Sequence, residues 1–322
     1  MKRILYVIPL VFLSSAQVAL VAQVRLHADS QIFFASREQG QAALEKDDLF
    51  ARSMSPFDRQ SRMQAEQPPT KEEYLKFASR HVVEWKKEQI EKITVAIHSA
   101  AEKMEPYRIP FPKRILLVTT DGKEEGGAAY CRGATVILPQ GMLGRSARNL
   151  ERLLIHELFH VLSNQNPDLR RKLYAIIGFR PCGEVRLPEP LSQRKLTNPD
   201  GPTLDYFIEI RAGEKKIPVV PFLFSKTDYD PKKGGSFFQY MNFQLLTVEK
   251  TGADWKPVLR EGQPVFHSPN GTPSYIEQIG ENTGYIIHPD EVLADNFVFL
   301  VQKKQKLKTP GIVQQMKTIL AR

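Results

Sequence analysis

Two histidines four residues apart, His156 and His160, lie inside a strongly apolar helical stretch of this chain. They belong to the pentapeptide His-Glu-Leu-Phe-His, and leucine and valine recur around it at helical spacing over residues 149–162. Residues four apart share one face of a helix, so the two imidazoles can bind one metal ion. A helix this apolar is buried, and its polar groups need partners. The alternative is a pair of core histidines that are satisfied by hydrogen bonds.

A catalytic zinc ion needs a third protein ligand and keeps one position open for water. The sequence after His160 lacks the Gly and the third His of the pattern H-E-x-x-H-x-x-G-x-x-H, so this ligand must come from farther along. Glu291 and Asp295 share a face of a second apolar helix, which is predicted to begin at Pro289. Two carboxylates on a buried helix are costly unless they are neutralised. A metal ligand and a carboxylate that holds a ligand histidine explain both residues.

The motif H-E-x-x-H, followed by E-x-x-x-D on a later helix, resembles the gluzincin metallopeptidases, the thermolysin-like group of zincins. By motif position, the resemblance implies one Zn²⁺ ion bound by His156, His160 and Glu291. It implies that Glu157 is the general base and that Asp295 orients a ligand histidine. The resemblance covers the two motif helices, which are a small part of the chain.

The chain also departs from that group. The separation between His160 and Glu291 is far longer than in thermolysin-like enzymes, and Asp290 stands where the group often has Asn. These differences indicate a divergent family whose pocket and specificity cannot be transferred. Rival third ligands are present in the sequence: Glu184, Asp205, His267 and His288.

The patterns predict an α+β fold, with a zincin-like metallopeptidase core, a helical N-terminal region and a β-rich insertion between the motif helices. The expected boundaries are a signal peptide over 1–22, the helical region over 23–110 and the catalytic domain over 111–322, with the insertion over 183–285. In this family a strand near the active helix pairs with extended substrate. Residues 128–139 are therefore expected to line the cleft and hold a peptide by strand addition, unless they form an ordinary edge strand.

The N-terminus has the layout of a secretory signal peptide: Lys2 and Arg3, an apolar stretch, then small residues. The competing interpretation is an uncleaved membrane anchor. Both place the catalytic part outside the cytoplasm, periplasmic or secreted, and a membrane partner is expected only if the segment is uncleaved.

Charge and cysteine content add two expectations. The formal net charge is +9, but Lys and Arg are spread along the chain without a nucleic-acid motif, so no nucleic-acid partner is expected. Cys131 and Cys182 flank the first motif and are a candidate disulfide in an oxidising compartment; the alternative is two free thiols. The sequence does not define an oligomeric state.

The predicted function is zinc-dependent hydrolysis of peptide bonds in a peptide or protein substrate. Gluzincins often add a Tyr or His that donates to the oxyanion, and Tyr285 is predicted for this role. The alternative donors are His288, His267 and Tyr240.

A second hypothesis is an inactive or latent zinc-containing extracytoplasmic binding protein. A structural zinc site would be closed by a fourth protein ligand, such as His267 or Asp205. In a latent enzyme, part of residues 23–110 would cover the cleft. The presence of Glu157 argues against a structural zinc site, because such a site needs no base.

Overall fold

The computed structural model describes residues 22–189 and 191–321, and they form a mixed α+β structure, as predicted. The predicted signal segment falls almost entirely on residues 1–21, outside the described residues. Among the described residues, no helix combines the length and the apolarity that a membrane span requires.

The first sheet lies beside the motif helices and has five strands within the described residues. In chain order they are β1 (Gln23–His27), β2 (Ser30–Phe34), β3 (Arg114–Thr120), β4 (Tyr130–Arg132) and β5 (Thr135–Pro139). The spatial order is β1-β2-β3-β5-β4, with β2, β3 and β5 parallel and both edge strands antiparallel to their neighbours. Strands β4 and β5 fall within residues 128–139, the segment that was expected to form a strand. The hairpin β1–β2 was not predicted. Because β2 pairs with β3, the first sheet contains strands from both sides of the expected domain boundary at residue 110.

Helices dominate the region between β2 and β3, as expected. They are α1 (Arg37–Leu44), α2 (Leu49–Ser53), α3 (Pro56–Met63), α4 (Lys71–Arg80) and α5 (Lys87–Met104). A capping box begins α4: Glu73 N–H donates to Thr70 Oγ1 at 3.2 Å, and Thr70 N–H donates to Glu73 Oε2 at 2.7 Å. Ser55 and Asp58 form the same box at the start of α3.

The insertion forms a second, antiparallel sheet, in the order β10-β9-β8-β7-β6 with β13 also paired to β9. The strands are β6 (Arg180–Pro181), β7 (Tyr206–Ala212), β8 (Lys215–Ser225), β9 (Met241–Thr251), β10 (Asp254–Pro257), β11 (Leu259–Arg260), β12 (Gln263–Pro264) and β13 (Phe266–His267). Strands β11 and β12 form a separate ribbon. The insertion is therefore β-rich within its described residues, in agreement with the Val-, Ile- and Phe-rich runs of its sequence.

The remaining helices include the two that carry the motifs. They are α6 (Ala147–Gln165), α7 (Pro167–Ile176), α8 (Leu191–Arg194), α9 (Pro273–Ile279), α10 (Pro289–Val301) and α11 (Pro310–Ile319). Helix α6 packs against α5 on one side and α10 on the other. Apolar side chains of the first sheet, α5, α6 and α10 form one continuous core, so the motif helices are held on several faces.

A buried arginine connects the N-terminal helices to the rest of the structure. Arg62 of α3 binds Glu125 with two hydrogen bonds, of 2.8 and 2.6 Å, and Asp58 with one of 2.6 Å. It also donates to the carbonyl oxygen of Thr197 at 3.0 Å, and Thr197 N–H donates to Asp58. Buried charges are tolerated when they are paired in this way. The network fixes α3, the turn before β4 and the segment around Thr197 relative to one another.

Replacement of Arg62 tests this connection. Arg62→Ala leaves Asp58 and Glu125 as buried carboxylates without their cation, so the free energy of unfolding is expected to fall by about 3–5 kcal/mol. The control is Arg52→Ala: Arg52 is 55% exposed and lies 3.9 Å from Asp47. This control should change stability by less than about 0.5 kcal/mol. Urea denaturation measures both variants, and equally small effects would contradict the role of Arg62.

Candidate metal centre

The two motif histidines and Glu291 converge on one point between α6 and α10. His156 Nε2 lies 3.1 Å from Glu291 Oε2, and His160 Nε2 lies 3.5 Å from the same oxygen. Two ligands that share one tetrahedral zinc ion are about 3.3 Å apart, because zinc–nitrogen and zinc–oxygen bonds are about 2.0–2.2 Å long. The three side chains therefore form a group that could hold a metal ion, and two imidazoles with one carboxylate are a ligand set that suits zinc.

Local sequence explains why the three side chains meet. Ser146 caps the N-terminus of α6 by accepting a hydrogen bond from Asn149 N–H, and Pro289 occupies the first turn of α10. Both helices are largely buried, and their apolar faces pack together. This packing turns the histidine face of α6 toward the carboxylate face of α10.

The outer nitrogen of each imidazole faces a carboxylate of α10. Asp295 Oδ1 lies 3.4 Å from His156 Nδ1, which is the contact that the sequence predicts for Asp295. Asp290 Oδ2 lies 2.6 Å from His160 Nδ1 and does the same for the second histidine. Both contacts leave the Nε2 atoms for the metal and fix the orientation of the rings.

The role of Asp290 was not predicted from sequence, where this residue was noted only as a departure from the family. Its Oδ1 atom accepts hydrogen bonds from Ser163 Oγ and from Tyr174 Oη, the latter at 2.8 Å. Asp290 is 1% exposed, and these hydrogen bonds connect it to α6 through Ser163 and to α7 through Tyr174. The available signal was a second carboxylate next to Glu291 on a buried helix, which needs partners for the same reason as the first.

Asn198 is a second residue that sequence reasoning missed. Its Nδ2 donates to Glu291 Oε1 at 2.7 Å. This bond occupies one carboxylate oxygen and leaves Oε2 toward the histidines. Asn198 lies in the insertion, in a stretch without a recognisable motif, so no spacing rule connects it to Glu291.

The electrostatics of the site favour a bound cation. Burial is the largest influence on the pKa of His156 and lowers it, but the hydrogen bonds to Asp295 and Glu291 outweigh burial and raise the pKa to about 9. Burial raises the pKa of Glu291, yet the two histidines outweigh it and hold that pKa well below its usual range. The same carboxylates that raise the pKa of His156 would also stabilise a bound metal cation.

Glu157 lies on the wall of the site and is 3% exposed. Burial is the main cause that raises the pKa of its carboxyl group, against the opposite effect of the two histidines. Its nearest neighbours include Cys131, whose Sγ lies 3.6 Å from Glu157 Oε2, and the carboxylate of Asp200. A carboxyl group whose pKa is raised accepts a proton more readily, as a general base must.

The centre opens into a cleft of about 460 Å³. Its lining includes residues of the metal site, other residues of α6, and residues from segments before and after α6. They are Ala128, Ala129, Met142, Arg145, Asn149, Arg152, Leu153, His156, Glu157, Asp200, Tyr285 and Glu291. Tyr285 stacks on His156, with ring centroids 6.2 Å apart and planes at 19°, and is 43% exposed. The predicted oxyanion donor is therefore beside the metal site. Of the segment 128–139, which was expected to line the cleft, Ala128 and Ala129 line it, and the strands β4 and β5 that follow are not part of its lining.

The alternative donors have other partners. His288 Nδ1 accepts a hydrogen bond from Asp290 N–H at 3.1 Å and so caps α10. His267 lies on β13 of the second sheet and is 3.1 Å from Thr247 Oγ1. Tyr240 Oη contacts Asp230 and Gly234.

The rival acidic ligands also lie elsewhere. Glu184 accepts a hydrogen bond from Leu204 N–H, and Asp205 accepts one from Thr203 Oγ1. Within the described residues, neither these two nor the rival histidines join the group of His156, His160 and Glu291.

The candidate disulfide between Cys131 and Cys182 is wrong, because both thiols are free. Cys131 is buried, and its Sγ donates to the backbone oxygen of Glu157 at 3.1 Å. Cys182 Sγ contacts the backbone oxygen of Gly183 at 3.2 Å. Each sulfur has its own local partner, and Cys131 instead belongs to the wall of the site.

Comparison with known proteins adds no relative: the chain matches no protein-family model, no curated protein and no solved structure.

Removal of the charge on Asp290 tests the metal centre. Asp290→Asn weakens the hold on His160, so zinc affinity is expected to fall by about 10- to 100-fold. Asp168→Asn is the matched control, because Asp168 is 88% exposed on α7. Competition with a chromophoric chelator gives the zinc dissociation constant of each variant. Equal constants for wild type and Asp290→Asn would show that Asp290 has no part in metal binding.

Proposed function

We propose that this protein is a zinc-dependent peptidase that hydrolyses peptide bonds outside the cytoplasm. The observation that carries the proposal is the convergence of His156, His160 and Glu291 on one point, with Glu157 on the wall of an open cleft. Two imidazoles and one carboxylate are a ligand set that zinc prefers, and they leave a position for water. The extracytoplasmic location rests on the signal-like N-terminal sequence.

The architecture around the centre supports a zincin-like core. Helix α6 carries the first motif and α10 the second, and Ala128 and Ala129, which directly precede the antiparallel edge strand β4, line the same cleft. The main chain of Ala128 and Ala129 beside the metal site is suited to hold an extended peptide through hydrogen bonds. A peptide or protein chain is therefore the proposed substrate class.

Zinc, when bound, polarises the scissile carbonyl and makes a water molecule more acidic. Glu157 takes the proton from the attacking water and delivers it to the leaving nitrogen. Its burial keeps the carboxyl pKa raised, which suits both steps. Asp290 and Asp295 hold the imidazoles, while Asn198 holds Glu291, so these side chains keep their positions during the reaction.

Tyr285 is proposed to donate a hydrogen bond to the oxyanion that forms on the scissile carbonyl. The negative charge of Glu291, together with burial, raises the pKa of the Tyr285 hydroxyl. The hydroxyl consequently keeps its proton at neutral pH and can act as a donor.

The alternative, a zinc-containing binding protein, has less support. In the described part of the chain, the metal group contains three potential ligands and no fourth that would close it. The lining of the cleft comes from residues 128–291, not from the N-terminal helices that a latent enzyme would use as a cover.

Replacement of Glu157 tests the function directly. Zinc-loaded wild type is expected to cleave a diverse peptide library, whereas Glu157→Gln should lose at least about 10³-fold in turnover, because the general base is removed. Mass spectrometry of the products and metal analysis of both proteins are required. If zinc-loaded wild type leaves the whole library intact, the proposal of a peptidase is wrong.

The role of Tyr285 has a separate test. Tyr285→Phe removes the hydroxyl and keeps the ring on His156, so kcat should fall by about 10- to 100-fold while KM and zinc content stay near those of wild type. Tyr229→Phe serves as the control, since Tyr229 is buried in another hydrophobic cluster. Wild-type turnover of Tyr285→Phe would exclude the residue as the oxyanion donor.

A further inference from the structure

The outer edge of β4, next to the cleft-lining residues Ala128 and Ala129, is already blocked at Cys131. Asp200 Oδ1 accepts a hydrogen bond of 2.7 Å from the backbone N–H of Cys131. Strand β4 pairs with β5 on its other side, with Cys131 opposite Val136. The N–H of Cys131 therefore points away from β5, toward the position that an added substrate strand would occupy, and Asp200 holds that position.

The main-chain groups of successive strand residues point to alternate sides, and this alternation determines how many positions on the outer edge can pair with a substrate. Main-chain groups of every second residue point to the same side of a strand. Ala129 directly precedes β4, so a peptide that extends the strand pairing by one residue would meet the N–H and C=O of Ala129 on the same side as those of Cys131. Ala129 lines the cleft. A substrate strand can pair with Ala129, but its next pairing position is occupied by the carboxylate of Asp200.

The blocking segment is fixed, not loosely placed. Asp200 N–H donates to Asn198 Oδ1 at 3.1 Å, and Asn198 is bound to Glu291. Just before it, Thr197 is held by Asp58 and Arg62. Asp200 is 7% exposed, and its carboxylate lines the cleft. A peptide would have to break this network to extend past Asp200.

The distances leave room for about one residue. Oxygens of Asp200 and Glu157 lie within 4.8 Å of each other. One residue of an extended chain spans about 3.3 Å. If the scissile bond of a substrate lies beside Glu157, only one substrate residue fits between that bond and Asp200.

Charge decides which end of a peptide meets Asp200. A peptide antiparallel to β4 has its amino end beside Cys131, whereas a parallel one would bring its carboxylate against Asp200. Glu157, Asp200 and Glu291 all lie at this end of the cleft. Burial raises the pKa of the Asp200 carboxyl group well above its usual range, and the nearby Glu157 and Glu291 add to this effect. A cation beside these groups is therefore favoured, and a further carboxylate is disfavoured.

We propose, on the basis of the function proposed above, that the protein is an aminopeptidase in which Asp200 binds the free α-ammonium group of the substrate. Water is added across the first peptide bond: its C–N bond breaks, the acyl carbon takes the hydroxyl oxygen, and the leaving nitrogen takes the proton. The products are one free amino acid and a peptide shortened by one residue. Asp200 is a binding residue that sets the position of cleavage.

A pair of peptide sets tests the proposal on the zinc-loaded wild type. The sets have the same sequences, with a free amino terminus in one and an N-acetyl group in the other. Free peptides should lose their first residue, and acetylation should lower kcat/KM by at least roughly 10- to 100-fold, because the charged hydrogen bond is lost. Internal cleavage at equal rates in both sets would overturn the aminopeptidase while leaving the peptidase intact. Absence of cleavage in both sets, with zinc bound, would overturn both.

Asp200→Asn adds a readout that does not depend on turnover. Leucine hydroxamate and N-acetyl-leucine hydroxamate are titrated calorimetrically into zinc-loaded Glu157→Gln. The free-amine compound should bind at least about 10-fold more tightly. The preference should disappear in Glu157→Gln/Asp200→Asn and persist with Asp205→Asn, a control from the same segment. Equal affinities of the two compounds for Glu157→Gln would overturn the role of Asp200, and this comparison needs no Asp200 variant to fold.

Discussion

The contact between α6 and α10 is the interaction on which the rest of the structure depends. Both helices are buried, yet they carry two histidines and three carboxylates toward each other. Such groups are costly in an interior unless every charge and hydrogen-bonding atom is paired. Here the carboxylates of α10 hold the imidazoles of α6 from both sides, and a zinc ion would complete the pairing. The strands and helices around this contact keep its geometry fixed.

The insertion and the N-terminal helices both contribute to the centre, although neither carries a motif. Asn198, from the insertion, holds the second oxygen of Glu291, and Asp200 occupies the edge of β4. The segment that contains them is tied to α3 through Arg62, which also binds Glu125 in the turn before β4. Arg62 of the helical region thus connects the turn before β4 with the segment that carries Asn198 and Asp200, and these two parts of the chain lie on two sides of the cleft. This arrangement explains why a buried ion network lies so close to a polar site.

Local patterns were enough to predict much of this site. The spacing of His156 and His160 on an apolar helix, and of Glu291 and Asp295 on another, identified side chains that the structure brings together. The β-rich insertion and the helices after residue 36 also follow from their periodicity. The hairpin β1–β2 was missed because two short strands after an apolar N-terminal segment have no distinctive signal. The disulfide was wrong because pairing of two cysteines depends on their distance in the fold, which sequence spacing does not give.

The sequence by itself determined the motif helices and the chemistry of their side chains, because helical periodicity places residues four apart on one face. It also determined that those side chains must be neutralised, since they lie on helices too apolar to be exposed. Only the tertiary structure decided which carboxylate faces which imidazole, that Asn198 holds Glu291, and that Asp200 blocks the edge of β4. The physical reason is that these partners are far apart along the chain and meet through packing, so no local period or spacing connects them.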